Sequence, residues 1–258
     1  MPSSPLYIDR SRFGLRLRDL FFADGRGLPS SGIDLIHAVQ SPTPGDGATD
    51  FYTSLIDLGR DEAQLLDGIS KGFRYEIRRA ADKDGLLTQF SAALDAQALA
   101  RFADHYDAFA AGKGIAPANR AKLSALAARQ ALVLATVDDP DGRWLSAHLY
   151  LVDGRRARLY HSASSAADGT ERQRIGRANK LLHWHALLHF KAAGLATYDM
   201  GGISMGEALK AIDDFKQAFG GELTREYNCL LPVSWKGRLA LRLLRLAQAA
   251  RRWRSASR

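Results

Sequence analysis

Disulfide chemistry is excluded at the outset. The 258 residues contain one cysteine, Cys229, so no internal bridge can form, and a lone thiol fits a reducing cytoplasm. Long apolar runs are missing as well. None approaches the roughly 20 residues that span a bilayer, and the N-terminus, MPSSPLYIDRSRF, lacks the apolar core of an export signal. Ser162, Ser164 and Ser165 sit in no Gly-x-Ser-x-Gly elbow, which removes the hydrolase triad from consideration. Acidic residues are absent from residues 233–258, where eight basic side chains stand. The other 232 residues hold 28 basic and 28 acidic side chains, so the whole net charge of +8 belongs to the tail.

An apolar fraction of 46% and this length suit one large or two small globular domains. Segments 32–39 and 50–58 are β-rich and separated by a Ser/Thr/Pro/Gly loop at 41–47. Arg60-Asp61-Glu62 opens a helix running to about Asp84, with Leu65, Ile69, Phe73 and Ile77 as its buried stripe and Lys71, Arg74, Arg78 and Arg79 on its latter half. Beyond it come a strand at 86–90 and helices at about 95–111 and 118–130. Three strands follow, at 131–137, 143–152 and 157–161, joined by turns at 138–142 and 153–154. Domain boundaries are expected at 85/86 and 232/233: a β-rich N-terminal half with a basic linking helix, a catalytic domain, and a basic C-terminal helix.

The remainder of the chain is organised around Thr170 to Asn228. Gln173-Arg174-Ile175-Gly176-Arg177-Ala178 fits a Gln/Arg-x-x-Gly-x-Gly/Ala phosphate loop. Small residues at its fourth and sixth places let backbone N–H groups approach a ligand, and Arg174 and Arg177 add charge where a pyrophosphate would sit. A helix, a strand at 196–200, a helix over about 206–219 and a closing strand complete the stretch.

With YDMGGI (198–203), FKQAFGGE (215–222) and the upstream FRYEIRRA (73–80), this stretch resembles the acyl-donor half of the GNAT acyltransferases. Within them it is most similar to the FemAB-like branch, which includes the peptidoglycan-bridge aminoacyltransferases. The resemblance covers about residues 70–230. It implies an α/β fold with a mixed sheet flanked by helices, here with an N-terminal partial GNAT-like half, and the element order from residue 86 agrees with it.

In such a fold two central strands splay apart, and an acyl thioester lies in the gap. Strand ends at Tyr160-His161-Ser162 and Tyr198-Asp199 would flank the acyl carbon, making His161 a candidate proton acceptor and Asp199 a candidate for orienting the amine. The FemAB-like pattern implicates Lys216 in stabilising charge at the acyl group or the donor's phosphates. The donor's phosphates would contact Gln173, Arg174, Gly176, Arg177, Ala178 and Asn179. His185 and His189 share a helix face, but the helix after the loop carries no acidic residue to complete a metal site, so no metal is expected.

The implied reaction moves an acyl group from acyl-CoA to an amine, either a small molecule or an envelope precursor. Two alternatives stand beside it: a FemAB-type transferase using aminoacyl-tRNA, and a non-catalytic GNAT-like module at a membrane surface. FemAB-like bridge-forming members usually carry two full halves and a coiled-coil arm, whereas one full half and no arm are seen here. The tail, from Trp235, is an amphipathic helix with Arg238, Arg242, Arg245 and Arg252 on one stripe and Leu239, Leu243, Leu246, Ala250 and Trp253 on the next. It suits an anionic membrane face, tRNA phosphates, or packing on the domain. The expected location is cytoplasmic, peripheral to the inner membrane face.

Overall fold

Residues 5–25, 30–166 and 168–256 are described by a computed structural model. The chain divides into two compact units, residues 1–51 with 225–258 and residues 52–224. The basic segment at 60–85 goes with the larger unit because Leu65, Ile69, Ile77 and Ala80 are part of that unit's core.

In chain order the elements are β1 (Tyr7–Arg12), β2 (Leu15–Phe21), β3 (Leu35–Ser41), β4 (Thr49–Asp57), α1 (Glu62–Gly68), α2 (Lys71–Asp82), β5 (Thr88–Ser91), α3 (Ala96–Lys113) and α4 (Arg120–Ala128). They continue as β6 (Leu132–Asp138), β7 (Trp144–Val152), β8 (Arg156–Ser164), α5 (Gly169–Ala192), β9 (Thr197–Ile203), α6 (Lys210–Gln217), β10 (Glu222–Pro232) and α7 (Trp235–Ala256).

In the smaller unit β1 and β2 form a hairpin across Phe13-Gly14, whose φ values of 50° and 74° match the primed two-residue turns that fit strand twist. Cross-strand pairs Arg10–Asp19 and Arg18–Asp9, at 3.0 and 2.7 Å, tie the hairpin together. β2 runs parallel to β3, which pairs antiparallel with β10. The hairpin also buries Ile8, Leu17, Leu20 and Phe21, so apolar packing and ion pairs hold it together.

The larger unit carries the order β4-β9-β8-β7-β6-β5, with β8 and β9 parallel and every other neighbour antiparallel. It is a mixed α/β sheet flanked by helices. Its core fills the space between the sheet and α1, α2 and α5, with Leu181, Leu182, Ala186 and Leu187 of α5 packed among Tyr150, Tyr198 and Met200. α3 packs over β8 from its own side, with Phe102 and Tyr106 against His161.

The single helix expected over 60–84 is two. Asp61 caps α1 through a reciprocal box with Gln64, and Ile69 then leaves the helix at ψ 136°. The break has a tertiary cause. The Ser70 amide donates to the Ala218 carbonyl at 2.9 Å, and Gly68 lies against Gly220. The stripe survives the break, because Leu65, Ile69 and Ile77 are all buried.

Candidate active site

The parallel pairing of β8 and β9 lasts for three residue pairs, Arg156–Thr197, Ala157–Tyr198 and Arg158–Asp199. Both strands continue beyond it, to Ser164 and Ile203. The pairing of β8 with β7 shifts register at Tyr160, a bulge of the kind that bends a strand. Two neighbouring strands thus part in the middle of the sheet, as the splayed gap requires.

At the end of β8 a cavity of about 600 Å³ opens beside the first turns of α5. Its walls include His105, Phe109 and Lys113 of α3, Ser164 at the end of β8, and Arg172, Gly176 and Asn179 of α5. Asp168 at the helix start makes no side-chain capping bond. The Arg172 amide donates to the Asp168 carbonyl at 3.2 Å. His105 Nε2 is buried there without a hydrogen-bond partner, and burial lowers the His105 pKa.

The expected phosphate loop is not a loop. Residues 173–178 lie within α5, which begins at Gly169, so the segment presents one helical face rather than a run of backbone amides. Gly176 and Asn179 line the cavity. Ala178 is fully buried in the core, Gln173 is exposed, and Arg174 is half-buried. Arg177 is turned elsewhere: its guanidinium grips Asp84 in a bidentate pair at 2.6 and 3.0 Å, and this partner raises its pKa. Sequence reasoning missed Arg172, Lys113 and His105. Arg172 stood one residue before the pattern, and the α3 residues carry no motif.

Lys216 follows Phe215 on α6, and Phe215 belongs to an aromatic cluster. Phe73, Phe215 and Phe219 stand 5.2–5.5 Å apart, and the His183 ring lies 4.9 Å from Phe219. Its ammonium donates to the Gly202 carbonyl, on the part of β9 beyond the pairing with β8. Burial lowers its pKa, opposed by Asp213 and Asp199. Gly220, at φ 78°, and Gly221 hold α6 close: a Cβ on Gly220 would fall 2.4 Å from the Gly68 carbonyl oxygen, and one on Gly221 2.2 Å from Ser54 Oγ. The FKQAFGG segment is thus a packing device that carries a lysine. Nearby, Lys180 pairs with Glu76 at 2.6 Å and lies over the Phe73 ring.

Asp199 is engaged by the protein itself. It is fully buried, bonded through Oδ2 to Arg156 at 2.7 Å, and it accepts from Thr53 Oγ1 and the Gly201 amide. His161 lies on the opposite face from α5, among Phe102, Tyr106 and Tyr160. Burial and the charges of Arg158 and Lys122 push its pKa down to about 4, leaving it neutral and a weak base. Asp199 thus acts on the Lys216 charge, whereas His161 packs among Phe102 and Tyr106 of α3.

What does run through the core is a hydrogen-bonded chain. Asn179 Oδ1 can only accept, so His148 donates to it through Nε2, at 2.7 Å. His148 Nδ1 then accepts from Tyr150 at 3.0 Å, Tyr150 from Tyr198 at 2.9 Å, and Tyr198 from His183 Nδ1 at 2.7 Å. Burial lowers His148 to about 4 and holds His183 well below its ordinary value, so both rings are neutral and each tautomer is fixed by the next link. The other helix histidines are similarly engaged. His185 bonds Thr88 Oγ1 at 2.9 Å and His189 stacks on Phe90. Among the described residues no group of three or more His, Cys, Asp or Glu side chains could hold a metal ion.

The parted strands, the helix that starts at their edge and the lysine beside them define a GNAT-type acyltransferase. A family model described as an acetyltransferase (GNAT) domain matches residues 69–217, and the chain belongs to that family of N-acyltransferases. No curated protein matches the chain in sequence. Among solved structures it is similar to FemX, with a TM-score of 0.62 and 14% identity over 89% of this chain and 84% of that one. It is also similar to a C-terminal domain assigned to lysylphosphatidylglycerol synthetase of Agrobacterium fabrum (0.56, 15%, 93% and 86%) and to L-PGS from Bacillus licheniformis (0.52, 12%, 97% and 88%). At these identities the likeness is one of fold. No helix among the described residues is long and apolar enough to cross a membrane.

Proposed function

We propose that the enzyme moves an acyl group from acyl-CoA onto a primary amine. The observation that carries this reading is the cavity beside the first turns of α5, where Arg172 and Lys113 stand on facing helices around Gly176. Those two cations suit a phosphate group of CoA. The pantetheine arm would lead from there along β8 to the parted strands. In the reaction the amine nitrogen bonds to the thioester carbonyl carbon, the C–S bond breaks, and the sulfur leaves as free thiol with the proton the amine gives up. Lys216 is assigned to the oxygen that becomes negative on the way. We assign Asp199 to bracing Arg156 and the Gly201 turn, and His161 to the α3 wall.

The test is a pair of substitutions at one residue. A Cβ on Gly176 would come no nearer than 4.0 Å to Lys180 Nζ, so Gly176→Ala should fold and bind donor as before. Gly176→Glu places a carboxylate in the cavity and should weaken CoA binding at least about tenfold by calorimetry, roughly 1.4 kcal/mol. Equal affinity in both folded variants would remove the donor from this cavity.

A second reading keeps the chemistry and changes the carrier to an aminoacyl-tRNA. It is supported by the FemAB-like resemblance, by the likeness in fold to FemX, and by the exposed Arg238 and Arg242 on α7. Product formation with charged tRNA and none with acyl-CoA would favour it. On the first reading, use of acyl-CoA places the reaction in the cytoplasm, with a small-molecule amine or an envelope precursor as acceptor.

A further inference from the structure

The basic helix α7 is docked by the wrong face for a simple packing role. Gly237 lies so close to Asp34 that a Cβ there would fall 1.9 Å from the Asp34 carbonyl oxygen, and Leu241, four residues on, is buried. Ser234, just before the helix, donates to Asp34 Oδ1 at 2.6 Å. At about 100° per residue, residues 237 and 241 mark one side of the helix, and Trp235, Leu239, Leu243 and Leu246 fall on the side opposite. Their exposures are 66%, 50%, 58% and 67%. Arg238 and Arg242 flank this stripe on one side and Lys236 on the other, all exposed. The side chains of Ala250, Arg252 and Trp253 lie outside the described residues.

The stripe is not alone. Between α7 and the hairpin side of the same unit lies an apolar groove of about 810 Å³, walled by Leu15, Leu17, Leu35 and Leu230 together with Leu239 and Leu243. Phe13, at the hairpin tip, stands beside it 89% exposed, with the Arg12 guanidinium 4.9 Å from its ring centroid. An apolar centre with a rim of one sign needs a partner that offers both hydrocarbon and negative charge.

We propose that this face of the smaller unit seats on an anionic phospholipid bilayer. The α7 stripe and Phe13 enter the zone between headgroups and acyl chains, and Arg12, Lys236, Arg238 and Arg242 meet lipid phosphates. A second copy of the chain is disfavoured by charge, because a two-fold contact would set two basic rims against each other. A nucleic acid would use the arginines and leave the leucine stripe in water. The proposal does not depend on which acyl donor the larger unit takes.

The test uses the full chain and vesicles of phosphatidylcholine with and without about a third phosphatidylglycerol. Co-sedimentation should require the anionic lipid and should weaken with salt. Leu239→Glu combined with Leu243→Glu changes exposed residues and should lower vesicle partitioning at least tenfold while catalysis on a soluble amine is kept. Phe13→Ser should give a smaller loss in the same direction, from a different element. Equal binding to vesicles without anionic lipid, or unchanged partitioning of the double variant, would overturn the proposal. So would a concentration-dependent dimer that the double variant abolishes, or tRNA binding stronger than vesicle binding and indifferent to the leucine changes.

Discussion

Replacing Lys216 by methionine separates the two jobs a lysine can do in this fold. Methionine keeps an unbranched stem of similar length and removes only the ammonium. The loss of the bond to the Gly202 carbonyl is offset by relief of a desolvated charge, so the fold should lose under about 2 kcal/mol. If the ammonium stabilises the developing oxyanion, it acts only in the transition state. Its removal should then lower kcat by roughly 10²–10³, about 2.7–4 kcal/mol, with donor affinity intact. If it holds a phosphate, donor Kd should rise and kcat at saturation should survive. Thiol release at saturating donor, together with calorimetry, distinguishes the two. There is also a pH signature. Burial lowers the Lys216 pKa, and the protonated form is the active one. Activity should therefore be held below that pKa and fall on an alkaline limb lying beneath the ordinary lysine value of about 10.4. Lys216→Arg should move the limb upward. Wild-type kinetics and pH profile in folded Lys216→Met would refute the assignment altogether.

Arg177→Gln should cost about 2–3 kcal/mol, because it strands a mostly buried Asp84, and should lower Tm by roughly 5–10 °C with CoA affinity unchanged; weakened CoA binding would return Arg177 to the donor site. His148 titrates near 4 in the fold against about 6.5 unfolded, so between these values the unfolded chain binds the extra proton and stability falls as pH falls. That one residue should remove up to about 3 kcal/mol between pH 6.5 and 4, and thermal unfolding that is flat across this range would contradict the buried chain. Gly221→Ala must move either β4 or α6, and should cost about 2 kcal/mol or more while lowering kcat through Lys216; a stable variant with full activity would mean that α6 does not fix the lysine.

The larger unit's element order was legible because its strands and turns are local signals: Asp139 to Gly142 and Asp153-Gly154 close their turns within a few residues. What escaped depends on partners far along the chain. Arg177 looks like a phosphate ligand until Asp84, 93 residues earlier, occupies it. The α1–α2 break is decided by Ala218 and Gly220, about 150 residues later. The chain from Asn179 to His183 left one trace, the alternation of His148 and Tyr150 on a single face of β7, but nothing local pairs it with Tyr198. The α7 stripe was visible in sequence. Which of its sides docks was not, since that rests on the closeness of Gly237 to Asp34.

The cavity between α3 and α5 has walls of unequal tolerance. On α5, Ile175 and Asn179 are tied to the core and to the buried hydrogen-bonded chain, so any change there disturbs the fold. On α3, Ala108, Gly112 and Lys113 are exposed, and a side chain added at Gly112 would meet no atom within 4 Å. The width and charge of the cavity can therefore be rewritten from one helix face at little cost in stability. If this cavity takes the acyl donor, change toward new donors would run along α3, where the fold sets the fewest limits.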